Sequence, residues 1–144
     1  MFLRSVMVKS EEPKAEKVTA GQFLLRHGVG LATRSAIIGA AAGGAQAHAS
    51  HKTMSALRRV GHTRDAEGIA GGAGAFAGMA AAYGGGRLIN TTSGAGAMRS
   101  DLRRATPGAV LAGWGVLSGS FLLSHRASFK AAHAYHRSQG STWG

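Results

Sequence analysis

The charged residues divide the chain into uncharged stretches and short basic segments. Three stretches contain no Asp, Glu, Lys or Arg: residues 35–51, 68–86 and 105–125. At a helical rise of about 1.5 Å per residue, each stretch approaches the roughly 30 Å hydrocarbon core of a bilayer. Lysine and arginine gather between the stretches and at their ends. We therefore predict three transmembrane helices, near residues 27–48, 66–86 and 106–125.

Large and small side chains occupy separate faces of the second and third predicted helices. In the third helix, Val110, Trp114 and Phe121 share one face, because residues three or four apart lie on the same side of a helix. Small residues on another face allow the backbones of neighbouring membrane helices to approach closely. We predict that nine glycines form such packing faces: Gly39, Gly43, Gly68, Gly72, Gly74, Gly78, Gly108, Gly115 and Gly119.

The helices define three regions of the chain: an N-terminal segment (1–22), a transmembrane domain (23–125) and a basic C-terminal tail (126–144). Thr106 and Pro107 predict the start of the third helix, since Thr caps helices well and Pro fits the first helical position. Residues 88–98 are uncharged but polar and are predicted to form a loop or a re-entrant turn. The predicted fold class is an all-α integral membrane protein with three or four Gly/Ala-rich transmembrane helices.

The overall composition weakens the case for a water-soluble fold. The chain has 23 glycines and only 6% aromatic residues, so few large side chains are available to build a core in water. It has no cysteine, which excludes disulfides and thiolate metal sites. The composition therefore agrees with helices that are packed in a membrane.

The net charge of +11 predicts an anionic surrounding, either nucleic acid or an anionic lipid surface. A nucleic-acid binder usually carries basic residues along its helices, whereas here they gather at segment ends, as in membrane proteins. We predict no nucleic-acid partner and keep a basic soluble nucleic-acid-binding protein only as the third interpretation. An anionic phospholipid such as cardiolipin is the predicted ligand of two basic groups: Arg58, Arg59 and Arg64, and Arg99, Arg103 and Arg104.

Two histidine pairs are the main candidates for site chemistry. His48 and His51, and likewise His133 and His136, are three residues apart, a spacing that can place two imidazoles on one helix face for a metal. Neither pair has a nearby carboxylate or thiol, so solvated or interfacial histidine is the favoured interpretation. No paired-carboxylate site is evident either. We predict no catalytic residue, no metal and no cofactor, and a protein that is not an enzyme.

A short region in the middle of the chain carries a family resemblance. A loop with Arg59 and Asp65 leads into a predicted helix that opens with Gly68, Gly71 and Gly72. In this arrangement, residues 59–78 resemble part of the mitochondrial preprotein and amino acid transporter family. Members of that family include protein-translocase channels and an accessory membrane subunit of respiratory complex I.

The resemblance, together with the size and charge of the chain, implies a place in the mitochondrial inner membrane. The expected function is that of a non-catalytic accessory subunit of a respiratory complex, similar to the complex I subunit. Its partners would be other membrane subunits of that complex, and its helix packing and lipid contacts would stabilise the assembly. The alternative is a subunit of an inner-membrane protein translocase or pore.

Overall fold

The computed structural model describes residues 16–62, 64–90 and 95–140. These residues form four helices: α1 (Ala20–Arg59), α2 (Ala66–Asn90), α3 (Ala95–Arg104) and α4 (Pro107–Ser138). The all-α fold class predicted from the sequence is thereby confirmed. Most of the predicted N-terminal segment lies outside the described residues.

Helix α1 is longer than the predicted helix near residues 27–48, because caps at both ends fix its limits. At its start, the Thr19 hydroxyl accepts a hydrogen bond from the Gln22 amide, and the Gln22 side chain accepts one from the Thr19 amide. This reciprocal pair is a capping box. At its end, Gly61 adopts a φ of 78°, a left-handed conformation that glycine accepts without strain and that stops the helix.

Helix α4 begins as predicted but does not stop at residue 125. Thr106 is its N-cap, with its hydroxyl accepting a hydrogen bond from the Ala109 amide at 3.3 Å, and Pro107 opens the first turn. Residues 120–139 contain neither glycine nor proline, so nothing in the sequence breaks the helix before Gly140. The predicted tail is therefore largely a continuation of α4.

The segment predicted as a loop, residues 88–98, is helical at both ends. Helix α2 continues through Asn90, and α3 begins at Ala95; residues 91–94 lie outside the described residues. The loop prediction was wrong for residues 88–90 and 95–98, because uncharged polar residues can form a helix when a neighbouring element holds it in place. Helix α3 is held in place by Asp101, whose buried side chain forms hydrogen bonds with residues of α1.

Helix α1 is the central element and packs against both α2 and α4. Helix α2 runs antiparallel to α1, since Met54 near the end of α1 packs on Ala66 and Ala70 at the start of α2. Helix α4 runs parallel to α1, because the chain returns through α3 to the beginning of α1. There, Val18 pairs with the segment between α3 and α4 through two backbone hydrogen bonds of 2.9 Å.

The parallel helices α1 and α4 are in contact at a sequence offset close to 82 residues. The Ser35 hydroxyl donates to the Leu117 carbonyl, and His51 contacts His133; both pairs are 82 residues apart. With this offset, the uncharged stretch 35–51 of α1 lies level with residues 117–133 of α4. The uncharged stretches of the two helices are therefore displaced along the helix axes. They cannot both lie within the hydrocarbon layer of one bilayer over their full length.

Among the described helices, one is long and apolar enough to cross a membrane, namely α4, with 11% of its most apolar stretch buried in the chain. The prediction of three or four transmembrane helices is thus corrected to one candidate. Helix α2 falls short because glycine and alanine contribute little hydrophobicity. Helix α1 falls short because serine, glutamine and histidine residues lower the hydropathy of its uncharged stretch.

Candidate functional site

Four of the nine predicted packing glycines lie at contacts between helices. A Cβ atom at Gly39 or Gly43 of α1 would overlap backbone carbonyl oxygens of α4, those of Phe121 and His125. On α2, a Cβ atom at Gly74 would lie 2.7 Å from the Gln46 carbonyl oxygen, and one at Gly78 would lie 3.2 Å from the carbonyl oxygen of Ala42. At these positions the backbones approach too closely for a larger residue.

The other five predicted glycines do not contact a neighbouring helix in the described part of the chain. A Cβ atom at Gly68, Gly72, Gly115 or Gly119 would meet no described atom within 4 Å, and one at Gly108 would meet only the Thr106 hydroxyl of its own helix. A packing role for these five stays a prediction that concerns contacts with other chains. One glycine that was not predicted, Gly113, lies against the ring of Phe23, which is fully buried.

The outward faces of α2 and α4 expose large apolar side chains. On α2, Phe76 and Tyr83 are 71% and 69% exposed. On α4, Leu111 and Leu122, which are eleven residues apart and share one face, are 71% and 63% exposed. The predicted separation of large and small faces therefore holds for α2, where the small face meets α1 and the large face points away from it.

The two predicted lipid-binding groups of arginines lie at opposite ends of the structure. Arg58 and Arg59 form the last turn of α1, and Arg64 follows shortly after. Arg99, Arg103 and Arg104 belong to α3, beside the beginning of α1. All six side chains are exposed, which leaves them accessible to a ligand.

At the α3 end, the carboxylate of Asp101 is buried among three basic groups. Its Oδ2 atom lies 3.0 Å from His27 Nε2 and 3.2 Å from Arg26, and its Oδ1 atom accepts from Arg104 at 3.1 Å. The hydrogen bond with His27, followed by the interactions with Arg26, lowers the pKa of Asp101. This cluster joins α3 to α1 and has a structural role, because the carboxylate is already fully engaged.

At the opposite end, the structure brings the two predicted histidine pairs together. Each pair occupies one face of its helix, and the parallel packing of α1 and α4 places the faces opposite each other. His51 Nε2 lies 2.8 Å from His133 Nδ1, and His48 Nδ1 lies 3.3 Å from His136 Nε2. The rings of His51 and His136 are stacked, with centroids 4.5 Å apart.

His51 is the most enclosed of the four, with only 2% of its surface exposed. Burial, followed by the positive charges that His136, His133 and Arg137 can contribute, lowers its pKa to about 4. This lowered pKa favours the neutral form of His51. Its burial also shows that His51 is not a solvated histidine.

The orientation of the rings does not suit a metal ion. Imidazoles that bind one metal direct their nitrogens at a common point, whereas His51 and His136 lie face to face. In the described part of the chain, no group of three or more His, Asp or Glu side chains is arranged to hold a metal ion.

An open cavity of about 650 Å³ adjoins the histidine cluster. It lies where α1 continues past the end of α4, and it is lined by polar and basic side chains of both helices. The lining side chains that can donate hydrogen bonds are those of His48, His51, Lys52, Ser55, Arg59, Tyr135, His136 and Gln139. Arg59 was a candidate from the sequence, whereas the approach of Lys52 to Tyr135 could not be predicted, because it depends on the parallel course of α1 and α4.

Comparison with known proteins gives no relative: no protein-family model, no curated protein and no solved structure matches the chain. The resemblance of residues 59–78 to the preprotein and amino acid transporter family stays a prediction.

Proposed function

We propose that the chain is a non-catalytic accessory subunit of a membrane assembly, with α4 inserted in the bilayer. The observation that carries the proposal is the exposure of large apolar side chains along the outer faces of both α2 and α4. Soluble monomers rarely expose large contiguous apolar patches, and such patches mark contacts with membranes or with other proteins. Lipid and neighbouring subunits would cover these faces in the assembly.

The position of Arg34 supports the insertion of α4. By the offset of 82 residues between the helices, Arg34 lies level with the middle of the uncharged stretch of α4. Its side chain is only partly exposed and lines a cavity of about 340 Å³ between the helices. Charged residues at membrane depth usually face the interior of a helix bundle in this way.

The mitochondrial inner membrane is the proposed location, and a respiratory complex similar to complex I is the proposed assembly. This part rests on the size of the chain, its charge of +11 and the resemblance of residues 59–78. The proposed partners are other membrane subunits and an anionic phospholipid such as cardiolipin. Arginine groups at both ends of the structure provide positive charge for lipid phosphates.

The proposed assembly can be tested by blue-native electrophoresis of mitochondrial membranes from cells that express the tagged chain. We expect the chain to migrate with a respiratory complex and to remain in the membrane after carbonate extraction. Substitution of the outer face by Phe76→Ser and Tyr83→Ser should release the chain from the complex. The control Ala75→Ser alters an exposed small residue on a different face of the same helix and should leave migration unchanged.

Two results would contradict the proposal. Release of the wild-type chain into the carbonate supernatant would refute insertion in the membrane. Migration of the wild-type chain only as a free small oligomer would refute its role as a subunit, even if it remained in the membrane.

A further inference from the structure

The open cavity at the C-terminal ends of α1 and α4 has the dimensions of a ligand site. Its volume of about 650 Å³ lies within the range of roughly 300–1,000 Å³ that is typical of small-molecule sites. Side chains from both helices line it, so its shape depends on the folded arrangement and not on one flexible segment. No Asp or Glu is among the lining residues that the structure describes.

The charge around this cavity is positive and has no acidic counterpart in the lining. Lys52 and Arg59 are part of the wall, and Arg58 and Arg137 lie in the last turns of the same two helices. Two helix C-termini contribute only about −0.5 charge each, which the charges of Lys52 and Arg59 together exceed. The positive field also acts on His51, since Arg137 contributes to its lowered pKa.

The other lining groups match the oxygen atoms of a phosphate. Ser55, Tyr135 and Gln139 each offer a neutral hydrogen-bond donor, and the guanidinium of Arg59 can bind two phosphate oxygens at once. The ammonium of Lys52 provides a compact point charge. A carboxylate ligand would use fewer of these donors than a phosphate, which has more oxygen atoms to accept them.

We propose that this cavity binds a phosphate group, carried either by a soluble phosphate compound or by the head group of an anionic lipid. Lys52 and Arg59 neutralise its charge, while Ser55 and Tyr135 hold its orientation. The proposal does not depend on the identity of the surrounding assembly. It concerns a site that includes only one of the six arginines predicted to contact lipid, Arg59.

Calorimetric titration of the full-length protein in a non-ionic detergent tests the site, with pyrophosphate as the probe. We expect Lys52→Gln with Arg59→Gln to weaken binding by at least about tenfold, since two charge-assisted contacts are lost. The control Lys17→Gln with Arg87→Gln removes the same charges at the other end of α1 and on α2. It should change binding less than about threefold, because distant exposed charges are screened by salt.

A second measurement identifies the source of the phosphate. Flotation with phosphatidylcholine vesicles, with and without phosphatidic acid, is repeated in the presence of pyrophosphate. Cavity-dependent binding to phosphatidic acid that pyrophosphate displaces identifies a lipid head group; cavity-dependent binding of pyrophosphate alone identifies a soluble phosphate compound. Lys52 and Arg59 are exposed, so the variants should fold, and circular dichroism checks this.

The proposal is overturned if the wild-type protein binds neither probe. It is also overturned if the cavity variant and the control variant lose affinity equally, because the attraction would then come from the overall charge of +11 and not from the cavity.

Discussion

Replacement of Gly43 by alanine should destabilise the contact between α1 and α4. The added Cβ atom would overlap the carbonyl oxygen of His125 and would lie 3.0 Å from the amide nitrogen of Phe129. Both are backbone atoms, so no side chain can turn aside and the helices must move apart. Overpacking of this kind costs about 1–3 kcal/mol.

Glycine-to-alanine substitution also raises helix propensity, by about 1 kcal/mol. The matched control Gly119→Ala gains the same propensity in the middle of α4, but its Cβ atom meets no described atom within 4 Å. The difference between the two variants therefore isolates the packing cost. We expect Gly43→Ala to be less stable than Gly119→Ala by about 1–3 kcal/mol.

Chemical denaturation of both variants in detergent micelles, followed by far-ultraviolet circular dichroism, measures this difference. Equal stability of the two variants would refute the close approach of α1 and α4 at Gly43. A lower stability of Gly119→Ala would instead place a close helix contact on the other face of α4.

Three further predictions concern other parts of the structure. The pKa of His51 is about 4 in the folded chain and 6.5 in the unfolded chain. The contribution of neutral His51 to the free energy of unfolding should therefore be complete above pH 6.5, and about 3 kcal/mol of it should be lost toward pH 4. Thermal melts at several pH values should show a weaker pH dependence for His51→Phe. The groups that act on His51 are His48, His133, His136 and Arg137. Asp101→Asn should lower the melting temperature, since it leaves the basic groups around it without their carboxylate, and an unchanged melting curve would argue against the α1–α3 junction. Thr106→Ala should lower the free energy of unfolding by about 1 kcal/mol in the same melts, because the N-cap of α4 is lost. Thr106→Ser should retain most of the stability that the cap provides.

The sequence was sufficient to predict features that depend on local chemistry. The cap at Thr106 and Pro107 follows from the preferences of these two residues, and the structure has it as predicted. The large and small faces of α2 follow from residue spacing within one helix. The end of α4 was missed because the charges beyond residue 125 were interpreted as a membrane boundary, although charge alone does not end a helix.

The relative placement of the helices could not be predicted. Nothing in the sequence shows that α4 returns parallel to α1, and this course brings together His51 and His133 across 82 residues. The same course displaces the uncharged stretches of the two helices, which removes the basis for three equivalent membrane spans. The glycines at 39 and 43 contact α4 for the same reason: contacts between helices depend on packing as well as on the small-residue pattern.

The central claim is that α4 lies in a bilayer with its outer face toward lipid, and Trp114 offers the most direct test. Trp143→Phe leaves Trp114 as the one tryptophan of the chain, and its side chain is 62% exposed. Its fluorescence is measured in vesicles that contain lipids brominated at different depths of the acyl chains. We expect the strongest quenching by bromine near the bilayer centre and little quenching by aqueous iodide. Quenching by iodide with none by brominated lipids would contradict the account.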